Sequence, residues 1–414
     1  MDEKKAGSAY RAFRVCAYRK KYETALLFGG KAFTYGALLS RSEYAYNTFR
    51  QMGVEAKKKV CLWLPDCPDL PACFYGLSRL GAVGVLCHPE ASPREVRNVM
   101  EQMEASLLIT TQSRYETYSK QYPPLPEGHL ILCRPERDMK GKDRKIFLAK
   151  EPVSEAAQGY FLDRLLVENR YNANETPVSD PLLEAVILFG TSCFSKVNPI
   201  SYLPEELEHT VETFARHRER CSAIFVENSF ATEGGFLAVH SALCNGKTIV
   251  WSVGDPMEEL LKKKPDFLVG TEELFWTLRQ QAHRFKGTWS NLQGGIQIGK
   301  ELTPLMEKFA TKAFLEMGGS GALSATPVPL KVRKEPLYFV RDFGVRIADM
   351  EEEFSRLEGV AACRCIPEGG GIRLKLQSKQ GEDAESLGRA AMSYCRREMN
   401  PLHLPYKVEF TAII

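Results

Sequence analysis

From residue 24 onward, short apolar runs of strand length alternate with amphipathic stretches of helical length. KKVCLWL (58–64) reads as a buried strand, and CPDLPACFYGLSRL (67–80) as the helix after it. AVGVLCH (82–88) repeats the strand signal, SPREVRNVMEQM (92–103) the helix, and SLLIT (106–110) closes the unit. Ser92 is placed to cap that second helix and Pro93 to occupy its first turn. Apolar strands separated by helices predict an α/β fold with mostly parallel, covered sheets.

Between 119 and 181 the rhythm falters, with prolines at 123, 124, 126, 135, 152 and 177. This segment reads as an excursion between two α/β halves. The alternation resumes with LLEAVILF (182–189), LPEELEHTVETFARH (203–217), SAIFV (222–226), KTIVW (247–251) and DFLVG (266–270). A helix over 271–285 and a turn and helix over 294–314 follow. TPVPLKVRKEP (326–336), rich in proline and basic residues, has the composition of a linker. Beyond it a second pattern begins: helix 349–357, strand VAACRCI (360–366), a glycine turn, strand IRLKLQ (372–377), helix 383–398 and a strand near 406–413. That is a small α+β domain of about 80 residues, near the lower size for an independent core. The expected organisation is one large domain over 1–336, with halves at about 1–180 and 181–330, then a small domain over 337–414.

The composition narrows the class. Hydrophobic residues make up 44% and charged residues 26% of 414 positions, as in a soluble globular protein. A net charge of +3 gives no reason to expect nucleic acid or an anionic membrane as partner. Twelve cysteines are scattered singly, several inside apolar runs, and no C-x-x-C pair exists. Reduced, buried thiols are expected, with no metal site. No apolar secretory segment follows the basic N-terminus, and no apolar run approaches the ~20 residues that span a bilayer. These features place the chain in the cytoplasm.

The N-terminal third resembles the adenylate-forming superfamily of acyl-CoA synthetases, peptide-synthetase adenylation domains and luciferases. The resemblance is carried by FTYGALLSRSEYAYNTFRQMGVEAKKKVCLWLPDCPDLPACFYGLSRLGAVGVLCHPEASPREV (33–96), which follows the family's opening in order and spacing. LCNGKTIVW (243–251), DFLVGTEELFWTL (266–278) and LQGGIQIGKEL (292–302) are similar to later family segments. FGVRIADMEEEFSRLEGVAACRC (343–365) resembles the start of the family's mobile small domain.

The resemblance implies two steps: a carboxylate attacks ATP to give an acyl-adenylate, and a thiol then takes the acyl group. It also implies a glycine-rich phosphate loop, a magnesium-binding glutamate, a ribose-binding aspartate and a late lysine. The loop aligns with FGTSCFSKVNP (189–199), where Gly190 stands at the mouth and Ser192, Ser195 and Pro199 replace the family's later glycines. Glycine there lets backbone N–H groups approach phosphate oxygens. Thr191, Ser192, Ser195 and Lys196 retain groups for a single phosphate, and the plain alternative is a solvated turn. The glutamate's turn aligns with Gly318, Gly319, Ser320 and Ala322, placing alanine on the magnesium position. No acidic residue stands between Glu316 and Glu335. The ribose subdomain is shortened to 327–336, the hinge falls at Arg341, Asp342 and Gly344, and the final lysine is missing after VEFTAII. The histidine that often lines the acyl pocket is absent from 222–236.

One electrostatic group contributes about 10²–10³ in rate, so several losses leave little of the first half-reaction. ATP with magnesium is therefore not an expected cofactor. The expected function is to bind or handle an acyl group, CoA or the phosphopantetheine arm of an acyl carrier protein, alongside another biosynthetic enzyme, without autonomous adenylation. The alternative is a working acyl-CoA or acyl-carrier-protein ligase with an altered site, for which Cys193 and Lys196 are the candidate catalytic residues. A remote alternative is an acyl hydrolase, because GGSGA (318–322) is close to a G-x-S-x-G elbow and Asp342 and His403 follow in order.

Overall fold

The structure is a computed structural model that describes residues 8–153, 160–170, 182–189, 199–216, 221–298, 302–325, 338–340, 343–345, 347–368, 371–379, 383–398, 405 and 407–411. Fourteen strands of these residues form two sheets. They are β1 (Thr24–Phe28), β2 (Lys31–Thr34), β3 (Lys59–Trp63), β4 (Val83–Cys87), β5 (Leu107–Thr111), β6 (Leu130–Cys133), β7 (Tyr160–Phe161), β8 (Val186–Phe189), β9 (Pro199–Tyr202), β10 (Ala223–Val226), β11 (Thr248–Val250), β12 (Phe267–Gly270), β13 (Gly294–Gln297) and β14 (Ala322–Ala325). The first sheet has the order β7-β6-β5-β3-β4-β8-β9 and the second β14-β13-β12-β10-β11-β1-β2. Each is parallel except at one edge, where β8–β9 and β1–β2 are antiparallel pairs.

Side chains alternate across a strand, and here both faces are apolar. In β3, Val60 and Leu62 enter one core while Cys61 and Trp63 enter another. In β10, Ile224 and Val226 enter that same shared core, and Phe225 enters a third. The shared core holds inner faces of both sheets together with helices Ala9–Arg19, Tyr35–Gln51, Asp69–Leu80 and Glu233–Cys244. The result is five layers, with helices between the sheets and outside each. All twelve residues of Asp69–Leu80 are buried, which is the signature of a helix covered on every side. Where it crosses Tyr35–Gln51, a Cβ on Gly76 would meet Ala45 Cβ and the Tyr46 nitrogen at 2.9 Å.

Several polar groups in this layer are paired. Arg41 reaches Asp69 and Asp138 at 2.7 Å each, joining the middle layer to the segment after β6. Tyr75 and His240, on two of the middle helices, meet at 2.9 Å between the Tyr75 hydroxyl and Nδ1. Burial pushes the His240 imidazole down to about 3, so it is neutral in the fold.

Several expectations are corrected. The sheets do not divide the chain near residue 180: β1 and β2 belong to the second sheet, while β8 and β9 complete the first. Strand pairing over such separations, as in Leu26 with Ile249, leaves no local signal. The segment 119–181 is not an excursion, since it supplies β6, β7 and helices Gly141–Lys150 and Leu162–Glu168. Its described prolines sit at element boundaries: Pro123, Pro124 and Pro126 precede β6, Pro135 opens a 3-10 turn, and Pro152 follows a helix. Helix Ala9–Arg19 precedes the first pattern read from sequence. The cap at Ser92 forms as expected, with its hydroxyl accepting from the Glu95 N–H at 3.3 Å and Glu95 accepting from the Ser92 N–H at 2.7 Å. The eleven described cysteines are free thiols, nine of them buried. Cys193 lies outside the described residues.

In the C-terminal part, β15 (Tyr338–Val340) and β16 (Phe343–Val345) form an antiparallel pair. β17 (Val360–Glu368), β18 (Gly371–Ser378) and β19 (Lys407–Thr411) form a second small sheet with helices Ile347–Ser355 and Ala384–Glu398. Met350, Phe354, Leu374, Leu376 and Cys395 belong to a core of its own.

Two outcomes follow from the middle layer. Gly76→Leu overpacks the helix crossing and lowers unfolding free energy by about 2–3 kcal/mol in urea titrations. His240 takes up a proton in the unfolded chain below pH ~6.5 but not in the fold until near 3, so stability falls as pH drops through that window. The contribution is about 1.4 kcal/mol per pH unit, and His240→Asn should flatten the measured pH dependence between 6 and 4 by that slope.

Candidate functional site

In open parallel sheets, ligands bind beyond the carboxyl ends of the strands, where loops diverge and backbone groups are unpaired. Here those ends from both sheets converge on one crevice of about 730 Å³. The end of β3 and the segment after it contribute Trp63, Pro65 and Asp66, and the segment after β4 contributes His88, Pro89 and Glu90. The segment after β5 adds Ser113, Arg114 and Lys120, that after β10 Glu227 and Ser229, and that after β11 Ser252 and Val253. Helix Gly141–Lys150 closes one side through Phe147, Lys150 and the following Glu151.

Most carboxylates of this crevice are committed to holding it. Asp66 accepts from the Ser229 hydroxyl at 3.2 Å and from the Phe230 N–H at 2.8 Å, stitching a loop of one sheet to a loop of the other. Glu151 accepts from Arg114 Nε at 2.6 Å and the Ser113 hydroxyl at 3.1 Å, and also from Thr111. Arg114 also donates to the Pro89 carbonyl, which pins the loop after β4. Glu227 accepts from the Thr271 N–H and hydroxyl at 2.8 and 2.9 Å, capping helix Glu272–Gln281. Lys120 and Lys150 are exposed, and among the described residues neither has a carboxylate at ion-pair distance. Among the described residues, no group of three or more His, Cys, Asp or Glu is arranged to hold a metal ion.

The segment holding Gly190, Thr191, Ser192, Cys193, Ser195 and Lys196 joins β8 to β9 and lies outside the described residues. It starts at the wall of the crevice, because the Phe189 carbonyl accepts from the His88 N–H at 3.3 Å. Arg341 and Asp342 also lie outside the described residues, while Gly344 pairs with Phe339 in the small hairpin.

The turn at 318–322 is a correction. Gly318 ends helix Pro304–Met317 in the left-handed region at φ 100°, and Ala322 is the first residue of β14. The turn therefore sits at the amino ends of the parallel strands, opposite the crevice. Its glycines serve packing: a Cβ on Gly321 would overlap the Gln293 carbonyl oxygen at 1.7 Å. It does not fit a nucleotide or a magnesium ion. The same glycine-rich composition suits a helix stop and a nucleotide turn. The position beyond the carboxyl end of β14 falls in 326–337, outside the described residues. The same geometry removes the hydrolase reading, since an elbow runs strand, serine, helix and Ser320 runs helix, turn, strand. His403 lies outside the described residues.

Asp66, Arg114 and Glu151 were not singled out from sequence. Asp66, in LPDCPDL directly after β3, is detectable as a polar residue at a strand's carboxyl end; the partnership of Arg114 and Glu151 spans 37 residues and has no local signature. His240 does not supply the missing acyl-pocket histidine, because it is buried against Tyr75 and Phe236 in the middle layer.

Residues 13–325 match the AMP-binding enzyme family. This chain belongs to that family. Its AMP-binding region ends with β14, and the fold agrees across the rest. The anthranilate CoA ligase AuaEII, solved with anthranoyl-AMP, superposes with a TM-score of 0.65 at 12% identity, covering 98% of this chain and 93% of that one. The amide bond synthetase McbA from Marinactinospora thermotolerans gives 0.74 at 12% identity, covering 98% and 96%. In sequence, a crotonobetaine/carnitine–CoA ligase of Salmonella paratyphi A is 27% identical over 117 residues, 27% of this chain and 23% of that ligase. The aligned stretch thus spans under a quarter of the ligase. Among the described residues of this AMP-binding family member, no helix is long and apolar enough to cross a membrane.

Asp66→Ala should lower stability by about 1–3 kcal/mol, because it strands the buried Phe230 N–H. Asp66→Asn, which keeps an acceptor, should lose less in the same denaturant titrations.

Proposed function

We propose that this AMP-binding family member binds and presents an acyl group, CoA or a carrier protein's phosphopantetheine arm in a cytoplasmic biosynthetic pathway, without activating a carboxylate by itself. The observation that carries this reading is the stretch from 317 to 334, which contains no acidic residue. Beyond the carboxyl end of β14 the first carboxylate in sequence is Glu335, ten residues past Ala325, so no acidic residue directly follows that strand to serve as a magnesium ligand.

The crevice is the volume we assign to the thiol-bearing ligand. Its lining draws on loops of both sheets, and Lys120 and Lys150 offer exposed cations to phosphate. Residues 337–414, with their own core, form the unit we assign to the thioester end of the arm. The partner in this reading is an acyl carrier protein or a neighbouring biosynthetic enzyme.

Calorimetry with ATP–Mg²⁺ and pyrophosphate exchange over a panel of carboxylic acids test the loss of adenylation; the expected result is neither binding nor exchange. Binding with exchange would establish the working-ligase alternative instead. CoA should bind in the absence of ATP, and Lys120→Glu with Lys150→Glu should weaken it about tenfold, more at low salt than at high.

A further inference from the structure

We propose that the outward face of helices Ala9–Arg19 and Pro204–Arg216 is a dimerisation surface, and that its occupant is a second copy of this chain. Both helices rest on the buried helix Glu233–Cys244 and touch each other, so their outer faces make one continuous surface. The first face is apolar and basic. Val15, Tyr18 and Tyr22 are 47%, 56% and 87% exposed, three of the nine exposed large hydrophobics among the described residues. Arg11, Val15 and Tyr18 follow at spacings of four and three, one side of a helix, with Tyr22 in the turn beyond. Arg11, Arg19 and Lys21 rim this stripe and are exposed. The acid nearest in sequence, Glu23, is paired with Lys20 at 2.7 Å.

The adjoining face is acidic. Glu205, Glu206, Glu208 and Glu212 are exposed, and no lysine or arginine occurs from 204 to 215. Among the described residues, no ion pair joins Arg11, Arg19 or Lys21 to Glu205, Glu208 or Glu212. A basic apolar strip beside an acidic strip is complementary to itself. A two-fold axis running between the two helices sets the basic strip of each copy, with its tyrosines, on the acidic strip of the other. The acidic strip is what selects this occupant: an anionic lipid surface or a nucleic acid matches the arginines but meets the glutamates with repulsion.

Sedimentation velocity of the full chain across micromolar concentrations tests this directly. A reversible dimer is expected, weakened about tenfold or more by high salt. Arg11→Glu with Arg19→Glu, and separately Glu208→Lys with Glu212→Lys, should each give a monomer. Mixing the two variants should regenerate a dimer, because each then presents the strip the other lacks. Circular dichroism checks folding of both, and Tyr18→Ser supplies an uncharged disruption if either fails to fold. A wild-type chain that stays monomeric, a dimer indifferent to all three changes, or a mixture that stays monomeric overturns the proposal. A monomer that sediments with phosphatidylserine vesicles overturns it in favour of a lipid surface.

Discussion

The architecture depends on one constraint: two sheets share a single helical layer, which must be apolar on every side. Helix Asp69–Leu80 satisfies this by burying all of its residues, and Gly76 lets it lie against Tyr35–Gln51 without a side chain between the backbones. Glu233–Cys244 meets the same demand from the side of the second sheet, and the bond from Tyr75 to His240 closes the layer. Polar atoms so deep are tolerated only when paired, which is why the imidazole stays neutral and Arg41 holds two aspartates.

Because the layer holds both sheets, the carboxyl ends of their parallel strands open on a common crevice. Charge there is used mainly as structure. Asp66 bridges the sheets, Glu151 gathers Arg114 and two hydroxyls, and Glu227 caps a helix. Bound in this way, these acids hold the loops together, and Lys120 and Lys150 stand exposed at the rim.

The element sequence was legible wherever hydrophobicity was periodic. The runs at 58–64, 82–88, 222–226 and 266–270 all became buried strands, and Ser92 capped its helix as its spacing implied. The small C-terminal unit was read nearly element by element, because its helices and strands are short, local and well punctuated. What sequence could not carry was partnership. Nothing in TALLFGG specifies that Leu26 will lie beside Ile249, and nothing in QSRYE specifies that Arg114 will meet Glu151. The glycines at 318–321 misled for a physical reason: a helix stop packed under a neighbouring strand needs the same absence of side chains as a phosphate turn.

The hairpin of β1 and β2 completes a sheet whose other strands begin at residue 223. During synthesis it emerges before every other described strand, and its parallel neighbour, β11, more than 200 residues later. At about 5–20 residues per second that interval is roughly 10–40 s. Over that time Ala25, Leu26 and Phe28 have no sheet to join, although all strands of the other sheet, up to β9, come out. The nascent chain thus waits a long interval with this hairpin unpaired, and chaperone dependence in the cell would fall on β1 and β2 rather than on the residues between β5 and β8.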